Sequence, residues 1–258
     1  MANHTITHQL DRDGALARIT FANGRGNILT TALLRDLREA VKTSLDNRHL
    51  KLITLQGLGA NFSYGASIEE HAPAAIAGEM RTLRGLVMEI ACSPVPFAAL
   101  VRGYCLGGGF ELAMGCHFIF SAAQAQFGLP EIKLGVFPPA ACAVLPRLVG
   151  QALADRMVIS GEKMSGEDLA RRGLVHSVFD GGDLEAGVDR WFGSSLAGYS
   201  ASSLRHATMA SRTAFVSGLD EAIAARERDY VDKLLPTHDA QEGVRAFLAK
   251  RPPAWRDE

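Results

Sequence analysis

Only four cysteines occur in the 258 residues, Cys92, Cys105, Cys116 and Cys142, and no two of them form a C-x-x-C pair. Their irregular spacing excludes a zinc framework and a disulfide scaffold, which leaves them as small buried hydrophobes in a reducing compartment. No run of about 18 apolar residues is present, so no membrane-spanning helix is expected. The opening segment MANHTITHQLDRDG is polar and has no apolar signal core. Charge of either sign is not in excess: 27 Lys and Arg against 28 Asp and Glu give a formal net charge of −1. That balance excludes a general attraction to nucleic acid or anionic lipid, so an anionic ligand must be met by a local patch or by backbone N–H groups. Internal repeats and low-complexity linkers are also absent. A cytoplasmic protein with neither nucleic acid nor membrane as partner is the expectation.

What is present is the balance of an ordinary globular chain, 47% hydrophobic and 21% charged. At this size such a chain buries roughly 70–75% of its unfolded surface and needs no covalent or metal staple. Two β-rich runs, Ala15 to Phe21 and Lys51 to Gln56, flank a segment with Leu33, Leu34, Leu37, Val41 and Leu45 at helical spacing. A second helix is predicted from about Ala74 to Cys92, stopped by Ser93-Pro94-Val95-Pro96. An apolar strand, Phe97 to Arg102, then runs into GGGFELAMG at 107–115, which reads as a short buried helix that starts on glycines. Further strands are expected at His117 to Ser121 and Ala125 to Pro130, followed by a loop EIKLGVFPPAA. Ser165 and Asp168 form a capping box, with Gly173 ending that helix before a strand from Leu174 to Phe179. Beyond about residue 195 the pattern is wholly helical, ending in Glu242 to Arg251. The order predicts an α/β core over residues 1–195 and an α-helical part over 196–258.

Gly107, Gly108 and Gly109 leave backbone N–H groups unshielded at a strand-to-helix junction, where an anionic oxygen can approach. A tight turn or a close helix-to-sheet contact would explain the same glycines. The small-residue turn Ser63-Tyr64-Gly65-Ala66-Ser67 offers a second exposed N–H, and two donors from separate loops suit a developing enolate. Glu111 lies in an otherwise apolar helix, where either a buried ion pair or catalysis could account for it. Glu131, after Pro130, would by itself be taken as solvated. As a pair the two carboxylates match what hydration needs, one group to take a proton from water and another to deliver one to carbon. No G-x-S-x-G, Walker A, complete G-x-G-x-x-G or H-E-x-x-H motif occurs, which removes the usual support for hydrolase, nucleotide-binding and zinc-protease readings. His71 and His117 lack a clustered partner and read as structural or pocket-lining rather than metal ligands.

Three segments, NFSYGASIEE, RGYCLGGGFELAMGCHFIF and QFGLPEIKLGVFPP, resemble the signature blocks of the enoyl-CoA hydratase (crotonase) superfamily in order and spacing. The resemblance continues through SGEKMSGEDLARRGLV into EGVRAFLAKRPPAW. It implies the ClpP/crotonase-like fold, a spiral of repeated β-β-α units with an α-helical C-terminal part that contacts coenzyme A and neighbouring subunits. It also implies an oxyanion hole from the N–H groups of Ala66 and Gly108, with Glu111 activating water and Glu131 delivering the proton. The same resemblance implies coenzyme A contacts at Arg25 and the backbone around Asn27 and Ile28, contacts to the ligand around Tyr64, Gly65, Ser67, Ile68, Gly107, Phe137 and Pro138, and C-terminal contacts at Phe247 and Lys250. A homotrimer or a dimer of trimers is implied, with an acyl-CoA substrate and no separate cofactor or metal, since coenzyme A belongs to the substrate. Isomerases and dehalogenases of the family often lack one of the two glutamates, so the presence of both favours a hydratase.

The chain departs from the family pattern in two places. Ser67 replaces the usual aspartate and Glu69-Glu70 replaces a frequent lysine, while Val136-Phe137-Pro138-Pro139-Ala140-Ala141 replaces a glycine-rich stretch. Losing glycines and gaining prolines stiffens the wall of the acyl pocket. These departures are similar to the branch of the family that acts in anaerobic benzoyl-CoA degradation. That similarity implies hydration of cyclohexa-1,5-diene-1-carbonyl-CoA to 6-hydroxycyclohex-1-ene-1-carbonyl-CoA. A general 2-enoyl-CoA hydratase for linear or cyclohexenyl substrates is the nearest alternative, and a non-catalytic binding protein on the same fold is a more distant one.

Overall fold

The computed structural model describes residues 4–68 and 76–258. In chain order the strands are β1 (Thr5–Asp11), β2 (Leu16–Ala22), β3 (Leu52–Gly57), β4 (Phe97–Val101), β5 (Tyr104–Leu106), β6 (Phe118–Ala122), β7 (Gln126–Gly128), β8 (Met164–Ser165) and β9 (Ser177–Phe179). The helices are α1 (Thr31–Leu45), α2 (Ile76–Ala91), α3 (Gly108–Gly115), α4 (Pro139–Val149), α5 (Gln151–Ser160), α6 (Gly166–Arg171), α7 (Leu184–Ser195), α8 (Ala201–Val216), α9 (Leu219–Asp229) and α10 (His238–Leu248). The main sheet has the order β1-β2-β3-β4-β6-β9, and a smaller one has β5-β7-β8. Apart from the antiparallel β1–β2 pair, neighbours in the main sheet are parallel.

Parallel strands joined by helical crossovers are covered on both faces, and β4 accordingly is buried at every position of FAALV. The period of two divides that run between two cores. Phe97, Ala99 and Val101 join the large core with α1 to α5, whereas Ala98 and Leu100 face the other way with Leu16, Leu52 and Phe120. Helix α7 closes this second face through Leu184, Val188 and Phe192, with Leu196 at its C-cap. The sequence reading contains neither α7 nor β1. β1 is an exposed, polar edge strand held by its ladder to β2, so it carries no apolar alternation to detect.

A short second strand follows each of several main-sheet strands and pairs sideways with its counterpart in the next turn of the chain. Leu29 bridges Ala66, Ser63 bridges Cys105, and β5 pairs β7, all in parallel. After these short strands come α1, α2, α3 and, beyond a 3-10 turn at Pro130–Leu134, α4. The architecture is the predicted spiral of β-β-α units. Local signals hold as well: Thr30 Oγ1 accepts the Leu33 N–H at 3.3 Å, and Ser165 Oγ accepts that of Asp168 at 3.0 Å.

Other expectations are corrected. The segment EIKLGVFPPAA is not a plain loop, since Pro139 is the first residue of α4, where a missing N–H costs nothing. The strand expected over 174–179 shrinks to β9, because the chain turns through Val175 before it pairs with β6. Cys105 and Cys116 are buried, but Cys92 is exposed and Cys142 half-buried, so only two of the four behave as core hydrophobes. The start of the predicted helix at Ala74, together with Glu69, Glu70 and His71, lies outside the described residues. Helix α9 packs on α4 and α2, and α10 against the 3-10 turn. Among the described residues no helix is long and apolar enough to cross a membrane.

Phe192 is a fully buried aromatic in the smaller core. Phe192→Ala is expected to lower the unfolding free energy by ~3–5 kcal/mol in urea titration. Leu10→Ala on exposed β1 is expected to change it by less than about 1 kcal/mol.

Candidate active site

Ala66, Gly108, Glu111 and Glu131 line one cavity, together with Ile76, Leu83, Val136, Phe137, Pro138 and Tyr230 among others. Their convergence follows from the spiral. Ala66, Gly108 and Glu131 each sit at or just beyond the short strand of three successive units, and lateral pairing sets these strand ends side by side. The pairing is tight: Ser63 N–H donates to Tyr104 O at 3.0 Å, Leu106 N–H to Ser63 O at 2.9 Å, and Gly107 N–H to Gly128 O at 2.9 Å. Gly107 has φ 49°, and a β carbon there would collide with Glu131 Oε1. A β carbon on Gly108 would lie 3.3 Å from the Ala66 nitrogen, so the two backbone amides are neighbours. Gly108 opens α3 and its N–H has no intrahelical acceptor. Neither the Gly108 nor the Ala66 N–H has an acceptor among the described residues. Two such amides can receive one oxygen that gains negative charge.

The two glutamates reach the cavity from different supports. Glu111, 4% exposed on α3, accepts the Ala141 N–H at 2.8 Å and is also held by the Ala140 N–H, both in the first turn of α4. Burial dominates and lifts its pKa to about 7, against those two amides, with the charge of Glu227 adding to the rise. No cationic side chain pairs with Glu111 among the described residues, so the ion-pair reading has no support. Glu131 is half-exposed as a residue, yet its carboxylate turns inward and Oε2 is buried with no hydrogen-bond partner among the described residues. Burial, and then the charge of Glu111, raise its pKa to about 8, opposed only by its own amide. As pH rises, Glu111 ionises before Glu131. The arrangement yields a base and an acid side by side near neutrality.

Phe137 and Pro138 also line the cavity, as the sequence reading expects. The remaining predicted ligand contacts lie outside its lining. The Asn27 side chain is committed to the fold: Oδ1 accepts the Asn23 N–H at 3.2 Å, and Nδ2 donates to Leu58 O at 3.0 Å and Asn61 O at 2.9 Å. Ile28 N–H donates to Asn23 O. Gly65 passes its carbonyl to Leu29 N–H, and Ser67 N–H donates to Leu29 O, so both residues hold the first two turns together. Tyr64 is exposed and packs edge-to-face with Tyr104, Arg25 is exposed, and Ile68 is the last residue described before the gap. Phe247 and Lys250 lie exposed at the end of α10. His117 is structural: its Nδ1 accepts the Phe97 N–H at 3.1 Å, and burial holds its pKa down at about 3. No cluster of three His, Cys, Asp or Glu side chains is placed to hold a metal among the described residues.

Sequence reasoning missed the amides of Ala140 and Ala141, the buried Glu79 and Tyr230, all at the site. The Pro139 start of α4 is a legible N1 signal that could have revealed the first pair; Glu79 and Tyr230 sit on helices whose register toward the cavity has no local signature.

The family of enoyl-CoA hydratases and isomerases matches residues 11–258 of the chain. A cyclohexa-1,5-dienecarbonyl-CoA hydratase of Thauera aromatica is 41% identical over 248 residues, 96% of this chain and 95% of that protein. A 2,3-dehydroadipyl-CoA hydratase of Escherichia coli K12 is 34% identical, over 89% of this chain and 90% of that protein. Among solved structures, an enoyl-CoA hydratase from Mycobacterium avium subsp. paratuberculosis K-10 superposes with a TM-score of 0.84 at 27% identity, covering 98% of both chains. With the β-β-α spiral and these matches spanning nearly its whole length, the chain belongs to the enoyl-CoA hydratase/isomerase family, the crotonase superfamily.

Proposed function

We propose that the protein is a hydro-lyase that adds water to a conjugated cyclic dienoyl-CoA thioester, taking cyclohexa-1,5-diene-1-carbonyl-CoA to 6-hydroxycyclohex-1-ene-1-carbonyl-CoA. The observation that carries the reading is the pair of inward-turned carboxylates, Glu111 held by the first amides of α4 and Glu131 with a buried, unpartnered oxygen, beside two neighbouring amides without acceptors among the described residues. The choice of ring substrate draws on the 41% identity with the Thauera aromatica hydratase.

In this reading the thioester oxygen sits between the N–H groups of Ala66 and Gly108. Glu111, ionised first, takes a proton from water as the water oxygen bonds to the β carbon, and the displaced π electrons move onto the thioester oxygen. The resulting dienolate collapses by taking the Glu131 proton at the far end of the conjugated system. Proton transfer from Glu111 back to Glu131, directly or through solvent, restores the starting state. The amide pair supplies ~3 kcal/mol per donor in reactions of this kind. Apolar Leu83, Val136, Phe137 and Pro138 keep bulk water from the dienolate. Arg25, Tyr64 and the turn around Asn27 and Ile28 form the proposed coenzyme A side, and no further cofactor takes part. Residues 196–258 contribute the C-terminal helix, whose exposed Phe247, with Lys250 just beyond its end, is available to a neighbouring subunit's ligand. A cytoplasmic location belongs to the same proposal.

Glu111→Gln and Glu131→Gln are each expected to lower kcat by ~10²–10⁴-fold while acyl-CoA binding by calorimetry is kept. Loss of binding alongside activity would instead indicate a collapsed pocket. The pH–rate profile is expected to rise through about 7 as Glu111 loses its proton and to fall through about 8 as Glu131 loses its own, a narrow bell. A paired assay with cyclohexa-1,5-diene-1-carbonyl-CoA and crotonyl-CoA is expected to show turnover chiefly of the ring substrate. A preference for crotonyl-CoA would assign the chain to general 2-enoyl-CoA hydration. Native mass spectrometry is expected to give three or six copies, and a monomer would refute the proposed subunit contact.

A further inference from the structure

Tyr230 stands where α9 ends and a π turn, Tyr230–Leu234, begins, a local irregularity that recurs at functional sites. Its ring packs edge-to-face on Phe137 with centroids 5.5 Å apart, and the residue is 2% exposed. The ring is therefore held by packing. Its hydroxyl is not: the oxygen is buried and has no hydrogen-bond partner among the described residues. Buried hydroxyls are rarely left unpaired, because nothing replaces the lost water. Tyr230 lines the same cavity as Glu111 and Glu131, and burial and the charges of Glu131, Glu79 and Glu111 keep it protonated.

The donor inventory of the cavity limits what this hydroxyl can do. Ionised carboxylates only accept, and the Ala66 and Gly108 amides are assigned to the thioester oxygen. Glu131 still holds its proton when water attacks, but that proton is spent on the far ring carbon; among the described lining residues Tyr230 is the one side chain that stays a donor through every step. A water molecule that attacks carbon gives one proton to Glu111 and uses one lone pair in the new bond, which leaves its second lone pair open to a donor. We infer that Tyr230 is a further catalytic residue, whose hydroxyl donates a hydrogen bond to the oxygen that is added to, or removed from, the substrate. No proton is transferred from it; the bond orients the attacking water and persists to the product hydroxyl. The inference rests on the proposed hydration.

Tyr230→Phe removes the hydroxyl and keeps the ring against Phe137. Its kcat for hydration is expected to fall about tenfold or more, the weight of one buried hydrogen bond, with KM little changed. Because the lost hydroxyl has no hydrogen-bond partner among the described residues, the melting temperature is expected to stay level or rise. Binding supplies a second readout. In Glu111→Gln protein, which blocks turnover, 6-hydroxycyclohex-1-ene-1-carbonyl-CoA is expected to bind more tightly than cyclohex-1-ene-1-carbonyl-CoA. Adding Tyr230→Phe should cut that preference about tenfold. Wild-type turnover with kcat of Tyr230→Phe within twofold and the preference unchanged would overturn the role of Tyr230 and leave hydration standing. A wild-type protein that hydrates no enoyl or dienoyl thioester would overturn the hydratase reading itself.

Discussion

The site depends on how closely three successive turns of the spiral approach one another. Lateral pairing of Ser63 with β5, and of β5 with β7, brings the ends of three short strands to adjacent positions. Side chains would hold such turns apart, and the three consecutive glycines remove them where each meets a different neighbour. A β carbon on Gly107 would strike the Glu131 carboxylate, one on Gly108 would crowd the Ala66 nitrogen, and one on Gly109 would strike the Ser63 side chain. A tight contact and an exposed amide therefore have one cause here. The glycines that let the turns pack are the same ones that leave the Gly108 N–H uncovered.

Packing so close also encloses two carboxylates that no cation among the described residues neutralises. Each therefore holds its proton to higher pH than the ordinary value of 4.5. Between that value and about 7 to 8, the unfolded chain ionises these groups while the folded chain keeps them protonated, so folding stability falls as pH rises through this window. The fold gives up stability for a pair of groups poised near neutrality. The first turn of α4 then separates the two: its amides favour the charge on Glu111, whereas among the described residues only its own amide favours the charge on Glu131.

Most of the helices and buried strands were legible because their signals are local. The Ser165 cap, the Pro94-Pro96 stop and the continuous apolar run of β4 all act within a few residues. β1 was not legible, since its ladder to β2 supplies what its polar side chains do not, and α7 was missed although its apolar residues close a core shared with distant strands. The repeat itself leaves no trace in the sequence, because the units share backbone pairing rather than side chains. At the site, the family resemblance singled out Ala66, Gly108, Glu111 and Glu131, which do meet. It could not indicate that Asn27 is spent on three contacts to neighbouring backbone, nor that Tyr230 arrives at the cavity from more than 90 positions downstream of Glu131.

Pro138 and Pro139 link the cavity wall to the support of Glu111. In the sequence they read as stiffening, a matter of shape alone. In the fold Pro138 caps α4 and Pro139 opens it, so the first amides that α4 can offer are those of Ala140 and Ala141, which face Glu111. The same two prolines line the cavity. A change in this segment thus moves the cavity wall and the amides that face Glu111 together. If the proton enters the ring across from the carbon that takes the hydroxyl, the acid must be placed independently of the base. Separate supports meet that requirement: Glu111 is tied to α4, and Glu131 rides on the 3-10 turn against which α10 packs.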